Sequence, residues 1–216
     1  MSKLTLPQGI YGITAEKLSR GRDNVSVVRE MIAGGVSAVQ YREKHDTKSF
    51  RSMLEECLAI RRLTRESGVL FIVNDYMELA MLADADGVHV GQDDLPVAAV
   101  RERVGPKIIG LSTHEPEHAQ AALKAGVDYI GAGPIFATQT KEDVCDPVGL
   151  NYLSLVVRDI PLPAAAIGGI KLHNIDQVLA AGARTVCLVS EIVAADDIAG
   201  MVQQLRAKVA AVSPQP

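Results

Sequence analysis

The sequence predicts a single α/β domain built as a (β/α)8 TIM barrel. Three observations carry that prediction: a length of 216 residues, an alternation of short Val/Ile-rich runs with longer stretches of helical periodicity, and a helix-ending signature that recurs before several of those runs. The length suffices to bury one full core and places 1–216 in one domain, with 212–216 as a disordered tail. Evenly spaced units favour closure into a barrel, although the periodicity by itself also permits an open, doubly wound sheet.

Taken in order, strands are expected at 9–14, 37–42, 70–74, 87–91, 108–112, 129–133, 164–168 and 185–190. The first run centres on Ile10-Tyr11, the second on Ala38-Val39, the third on Phe71-Ile72-Val73 and the fourth on Val88-His89-Val90. The fifth carries Ile108-Ile109, the sixth Tyr129-Ile130, the seventh Ala165-Ala166-Ile167 and the eighth Val186-Cys187-Leu188. Helices fill the intervals. Asp46 and Thr47 signal the start of the second, and Pro96 and Pro116 suit first-turn positions, where a missing N–H costs nothing. The strings Ala33-Gly34-Gly35-Val36, Ala85-Asp86-Gly87-Val88, Ala125-Gly126-Val127 and Ala181-Gly182-Ala183 repeat a helix end, and glycine there can take the left-handed conformation before the chain re-enters the sheet.

The formal charge of −4 argues against a basic, phosphate-tracking surface, so no nucleic-acid partner is expected and any phosphate chemistry must be local. Cys57, Cys145 and Cys187 are widely separated and lack zinc-ligand spacing, which excludes a disulfide framework. Met1 to Gly9 has the pattern of neither a secretory signal nor a membrane span, so the expected location is cytoplasmic and no membrane partner is expected. A homo-oligomer is compatible with the sequence.

In a barrel the reactive groups gather where strands end, and here those positions are polar. Asp75 and Asp94 end successive strands, which lie about 5 Å apart, so their carboxylates could share magnesium, which commonly takes one or two carboxylates, waters and phosphate oxygens. Equally, each could cap the helix that follows it. Arg42, Lys44 and Lys141 place cations on the same rim, suited to a diphosphate if they converge and to solvent if they do not. Gly168-Gly169 and Val189-Ser190 follow strands seven and eight, where barrels often bind phosphate, although glycines there also serve tight turns. Gln40, Asn74 and Ser112 can read a heteroaromatic edge or satisfy loop backbone. His89 reads as a packed, hydrogen-bonded core residue, His114 lies just past the rim, and Cys187 reads as a small core residue.

The strings Gln40-Tyr41-Arg42-Glu43-Lys44, Asn74-Asp75, Gly91-Gln92-Asp93-Asp94, Ser112-Thr113-His114, Thr138-Gln139-Thr140-Lys141, Ala166-Ile167-Gly168-Gly169-Ile170 and Val189-Ser190 together resemble the thiamine-phosphate synthase family, in order and spacing over nearly the whole chain. The resemblance implies a transferase of thiamine biosynthesis that condenses an aminopyrimidine diphosphate with a thiazole phosphate. By that resemblance Gln40, Arg42, Glu43, Lys44, Asn74, Ser112 and Lys141 hold the pyrimidine diphosphate, and Arg42, Lys44 and Lys141 assist its departure. Thr138, Gln139, Thr140, Gly169, Val189 and Ser190 hold the thiazole phosphate, and Asp75 and Asp94 bind Mg2+. Two positions depart from the family pattern: Ala137 replaces a frequent proline, and Glu191 replaces a small residue. Glu191 follows the phosphate-binding residues directly, so its carboxylate is expected to point away: strand alternation puts residues 190 and 191 on opposite sides and turns Glu191 toward a neighbouring cation or the helix shell.

The implied mechanism is dissociative: diphosphate leaves, and the thiazole nitrogen captures the resulting cation. A sister family of thiazole tautomerases, including non-catalytic thiazole-phosphate-binding regulators, is the alternative, with His114 as acid or base. Retention of Asp75, Asp94 and Lys141 favours the synthase. The loop 137–148 is a candidate lid.

Overall fold

In the computed structural model, which describes residues 4–138, 140 and 145–212, all eight apolar runs form strands. They are β1 (Gly9–Ile13), β2 (Ala38–Tyr41), β3 (Leu70–Asn74), β4 (Gly87–Val90), β5 (Ile108–Thr113), β6 (Tyr129–Ala132), β7 (Ala164–Ala166) and β8 (Thr185–Leu188). Each pairs in parallel with its sequence neighbours and β8 returns to β1, so the sheet closes and the open-sheet alternative is excluded. The outer layer comprises α1 (Asn24–Gly34), α2 (Phe50–Ser67), α3 (Met77–Leu82), α4 (Val97–Val104), α5 (Pro116–Ala125), α6 (Gly149–Asp159), α7 (Ile175–Ala180), α8 (Ser190–Val193) and α9 (Ile198–Val212). Among the described residues, no helix is long and apolar enough to cross a membrane.

Local chemistry sets the helix ends. The Asp23 carboxylate accepts from Ser26 N at 2.8 Å and starts α1, while Pro116 occupies the first turn of α5 as expected. The second helix begins later than Asp46 and Thr47 suggested: Ser49 caps α2 by accepting from Ser52 N, whereas Thr47 turns its hydroxyl onto Lys44 O. Pro96 stands at the cap of α4 rather than within its first turn. The repeated glycine signature also divides. Gly35 ends α1 in the left-handed conformation, but at the fourth strand Asp84 takes that conformation (φ 51°). Gly87 is instead needed for close approach, since a Cβ there would lie 2.3 Å from Ile108 O.

Strand alternation sorts the core into two bodies. Outward residues such as Val39, Phe71 and Ile109 pack under the helices, where Val27, Met31 and Met53 are fully buried. Inward residues, among them Tyr11, Ile72, Ile108 and Tyr129, fill the barrel itself above Leu6. Full burial of each aliphatic side chain contributes about 1.5–3 kcal/mol.

Two matching ties lock the end of the barrel where the strands begin. Arg61 on α2 grips Asp86 through two bonds of 2.9 Å, and Asp86 also accepts from Phe71 N. Arg101 on α4 likewise meets Asp128 at 2.6 Å, and Asp128 accepts from Ile109 N. The opposite end is left for loops.

Candidate active site

The strand ends surround a cavity of about 290 Å3. Gln40, Arg42, Asn74 and Ser112 line one part of its wall, and Thr138, Thr140, Gly169, Val189 and Ser190 line another. Nine candidates drawn from six separate segments thus share one space. Asp75, Asp94 and Lys44 stand at its rim without lining the cavity itself. Gln139 and Lys141 lie outside the described residues.

Asp75 is held at φ 60°, a left-handed conformation that Asp tolerates better than most residues, and its N–H donates to His89 O at 2.8 Å. This geometry turns its carboxylate to Lys44 Nζ, 3.0 Å away. Burial pushes the Asp75 carboxyl above its ordinary range; the Lys44 bond opposes this, and the adjacent Asp94 carboxylate adds to it. Neither aspartate caps a helix through its side chain: Asp94 accepts from Gly91 N within its own loop, and α3 begins at Tyr76 without a side-chain cap. Among the described residues no group of three or more His, Cys, Asp or Glu forms a cage. Two neighbouring carboxylates with no third protein ligand match a hard cation that completes its shell with water and ligand phosphate.

The segment after β2 is anchored from behind. Arg42 N donates to Thr14 Oγ1, and Arg42 Nε, buried beside the cavity, has no hydrogen-bond partner among the described residues. Glu43, expected at the substrate, is not brought there. Its Oε1 accepts from Glu16 N at 2.9 Å and from Asn24 Nδ2 at 3.0 Å, in a network that also ties Lys48 to Glu16 and Glu56. Glu43 therefore fixes the course of the chain that carries Arg42 and Lys44.

At the far wall Thr138 Oγ1 and Thr140 Oγ1 are 3.1 Å apart. Gly168 and Gly169 both have positive φ, and a Cβ on either would lie within 2.6 Å of Pro134 or Ala137. Ser190, placed at the end of a strand by sequence, instead opens the short helix α8. Glu191 does point to a cation, though a helical turn rather than strand alternation directs it. Its Oε2 lies 3.2 Å from Lys171 Nζ, and its Oε1 accepts from Leu172 N. Lys171 also donates to Ser190 Oγ at 2.9 Å, a contact that sequence reasoning missed.

The floor holds residues read only as core. His89 is hydrogen-bonded as expected, yet it lines the cavity, as do Tyr11, Tyr129 and Cys187. Tyr11 and Tyr129 point into the barrel, and nothing in their sequence context announces that their hydroxyls meet, 3.0 Å apart. His114 donates from Nδ1 to Gly133 O at 2.6 Å.

A family model described as thiamine monophosphate synthase matches residues 10–192. The chain is 61% identical to a thiamine-phosphate synthase of Pelotomaculum thermopropionicum over 203 residues, covering 94% of this chain and 92% of that one. It is 51% identical to a thiamine-phosphate synthase of Lawsonia intracellularis, with coverage of 94% and 93%. Among solved structures, thiamine phosphate pyrophosphorylase from Pyrococcus furiosus superposes with a TM-score of 0.88 at 36% identity, covering 95% of this chain and 96% of that chain.

Proposed function

The chain belongs to the thiamine monophosphate synthase family, and from that premise we propose the reaction its site performs: 4-amino-2-methyl-5-(diphosphooxymethyl)pyrimidine condenses with a thiazole phosphate to give thiamine phosphate and diphosphate. The observation that carries this reading is one cavity with two differently equipped ends. One has a rim acid pair, Lys44 and an Arg42 Nε with no partner among the described residues; the other has paired threonines, a glycine turn and Ser190.

Arg42 and Lys44 donate hydrogen bonds to the diphosphate in this reading, which the orientation of Lys44 by Asp75 supports. As the pyrimidine methylene carbon loses its bond to oxygen, charge accumulates on the diphosphate, and these fixed cations stabilise it more than the ground state. Lys141 joins them by the family resemblance. Asp75 and Asp94 would hold magnesium, which when bound supplies Lewis-acid stabilisation of the leaving group. Thr138, Thr140, the Gly169 turn and Ser190 anchor the thiazole phosphate. Holding the thiazole nitrogen beside the carbon then converts capture into an intramolecular step. No protein nucleophile is required.

The test is to mix both substrates with magnesium and assay thiamine phosphate and free diphosphate in equal amounts. Absence of both products from folded protein would overturn the proposal.

A further inference from the structure

Among the described residues, the segment 14–24 between β1 and α1 lines no part of the cavity, yet it is bonded to both of the chain segments that carry phosphate-binding groups. Its middle is a single 3-10 turn, Glu16–Leu18. Leu18 N donates to Ala15 O, Ser19 N to Glu16 O and the buried Ser19 hydroxyl to Ala15 O, each at 2.9 Å. These bonds fix the course of the turn and with it the placing of whatever its two ends hold.

One end holds the strand exit that delivers the diphosphate clamp. Thr14 N donates to Gln40 O and Thr14 Oγ1 accepts from Arg42 N, both at 2.9 Å, while Glu16 N and Asn24 Nδ2 donate to Glu43 Oε1 at 2.9 and 3.0 Å. Lys48, farther along the β2 exit, pairs with Glu16. Arg42 and Lys44 stand on either side of the anchored Glu43 in sequence.

The other end holds the short helix that begins at Ser190. The chain turns through left-handed Arg20 (φ 56°) and Gly21 (φ 82°), and Arg22 then reaches the far end of α8. Its Nε donates to Ser19 O, and one terminal nitrogen donates to Val193 O and Ala195 O, each at 2.8 Å. All three partners are backbone carbonyls, which can only accept, so the direction of every bond is fixed. Carbonyls at a helix end have no partner within the helix, and the guanidinium supplies one. Arg20 adds a longer bond to Ala194 O at 3.3 Å and an exposed pair with Asp196, which contributes little. Ser190 and Val193 bound the same short helix, so a shift at the clasped end passes directly to the residue that lines the cavity.

We infer that segment 14–24 is a two-armed brace for the two phosphate subsites: Arg22 is a positioning residue for the thiazole phosphate, acting through α8 and Ser190, and Glu43, held on the same brace, is one for the diphosphate, acting through Arg42 and Lys44. The inference rests on the two substrates proposed above. Loosening one arm displaces one subsite, so affinity for one ligand falls while the other is kept. A general loss of stability would weaken both together.

Two calorimetric titrations of the full chain, one with thiazole phosphate and one with inorganic diphosphate and magnesium, test it. Arg22→Gln should weaken thiazole phosphate about fivefold or more and change diphosphate by less than about twofold, and Glu43→Ala should do the reverse. Arg22→Lys keeps the charge but loses the Nε bond to Ser19 O, and should fall between the wild type and Arg22→Gln. Glu43→Gln keeps an acceptor for Glu16 N and should restore most of the diphosphate affinity. Equal weakening of both ligands in a folded Arg22→Gln, or of neither, would overturn the inference, as would a Glu43→Ala that weakens thiazole phosphate as much as diphosphate. If Arg22→Gln does not fold, Arg22→Lys provides the same comparison; Thr14→Val, which removes only the side-chain acceptor for Arg42 N, stands in for Glu43→Ala. Failure of the wild type to form thiamine phosphate would instead refute the proposed function, and the two titrations read the brace in either case.

Discussion

The pair Lys171 and Glu191 offers a charge test of the phosphate end. Lys171 Nζ is 3.2 Å from Glu191 Oε2 and 2.9 Å from Ser190 Oγ, so the carboxylate and the serine hydroxyl are separated by at most about 6 Å. Both side chains are partly exposed, so an effective dielectric of about 40 is appropriate, between the values for protein surroundings and for water. At about 6 Å, one phosphate charge and Glu191 then repel by about 1.4 kcal/mol, a tenfold loss of affinity, which Lys171 offsets by a similar attraction. Lys171→Met should therefore weaken thiazole phosphate binding about tenfold. Adding Glu191→Gln to that variant should return the Kd to within about threefold of the wild type, while Glu191→Gln alone should tighten binding. Calorimetric titration with thiazole phosphate, at low and high salt, gives all four values. Equal weakening in Lys171→Met and the double variant would show that lysine acts by contact alone, and no change in any variant would remove the phosphate from Ser190.

Three further outcomes are expected. Asp75→Asn, which keeps a residue suited to the left-handed backbone at that position, or Asp94→Ala should lower turnover by at least ~100-fold while the protein stays folded, since neither side chain caps a helix, and activity should vanish in EDTA; normal turnover in EDTA would refute the metal role. Lys141→Ala should slow single-turnover product formation more than it weakens thiazole binding, whereas His114→Gln should retain most activity; a folded but inactive His114→Gln would demand an acid or base there. Asp23→Ala should cost about 1 kcal/mol at neutral pH, and Asp23→Asn much less. Because its bonds to Ser26 N–H and hydroxyl hold the Asp23 carboxyl below 3.8, that stabilisation is present above pH 3.8 and is lost as pH falls through the depressed value. Denaturation midpoints compared across this range check the sign, and a difference that grew on acidification would contradict it.

Strand positions were legible because parallel strands buried on both faces read as nearly continuous apolar runs: seven of the eight lie within the expected segments, and β5 runs one residue further, to Thr113. The site was legible where residues at successive strand ends had to converge on one opening, as Gln40, Asn74 and Ser112 do. What could not be read was side-chain direction. Glu43 sits between two rim residues in sequence yet turns to Glu16 and Asn24, because the chain has left β2 by then and no fixed alternation applies. The contact between the floor phenols was hidden for a different reason: Tyr11 and Tyr129 are 118 positions apart, and only barrel closure sets their hydroxyls together. Lys171 escaped notice because its partners belong to the following βα unit.

The paired ties of Arg61 with Asp86 and Arg101 with Asp128 have a bearing on how this protein can be retooled. Each carboxylate serves a guanidinium and a strand N–H together, so neither partner can be exchanged alone without stranding the other. These two ties stand at the end remote from the opening. Loops at the opening, apart from segment 14–24, Glu43 and the Gly168-Gly169 turn, can accordingly be resequenced for a new substrate while the foundation bears the mutational load, and a library drawn from those rim positions should retain a far larger folded fraction than one that includes these four residues.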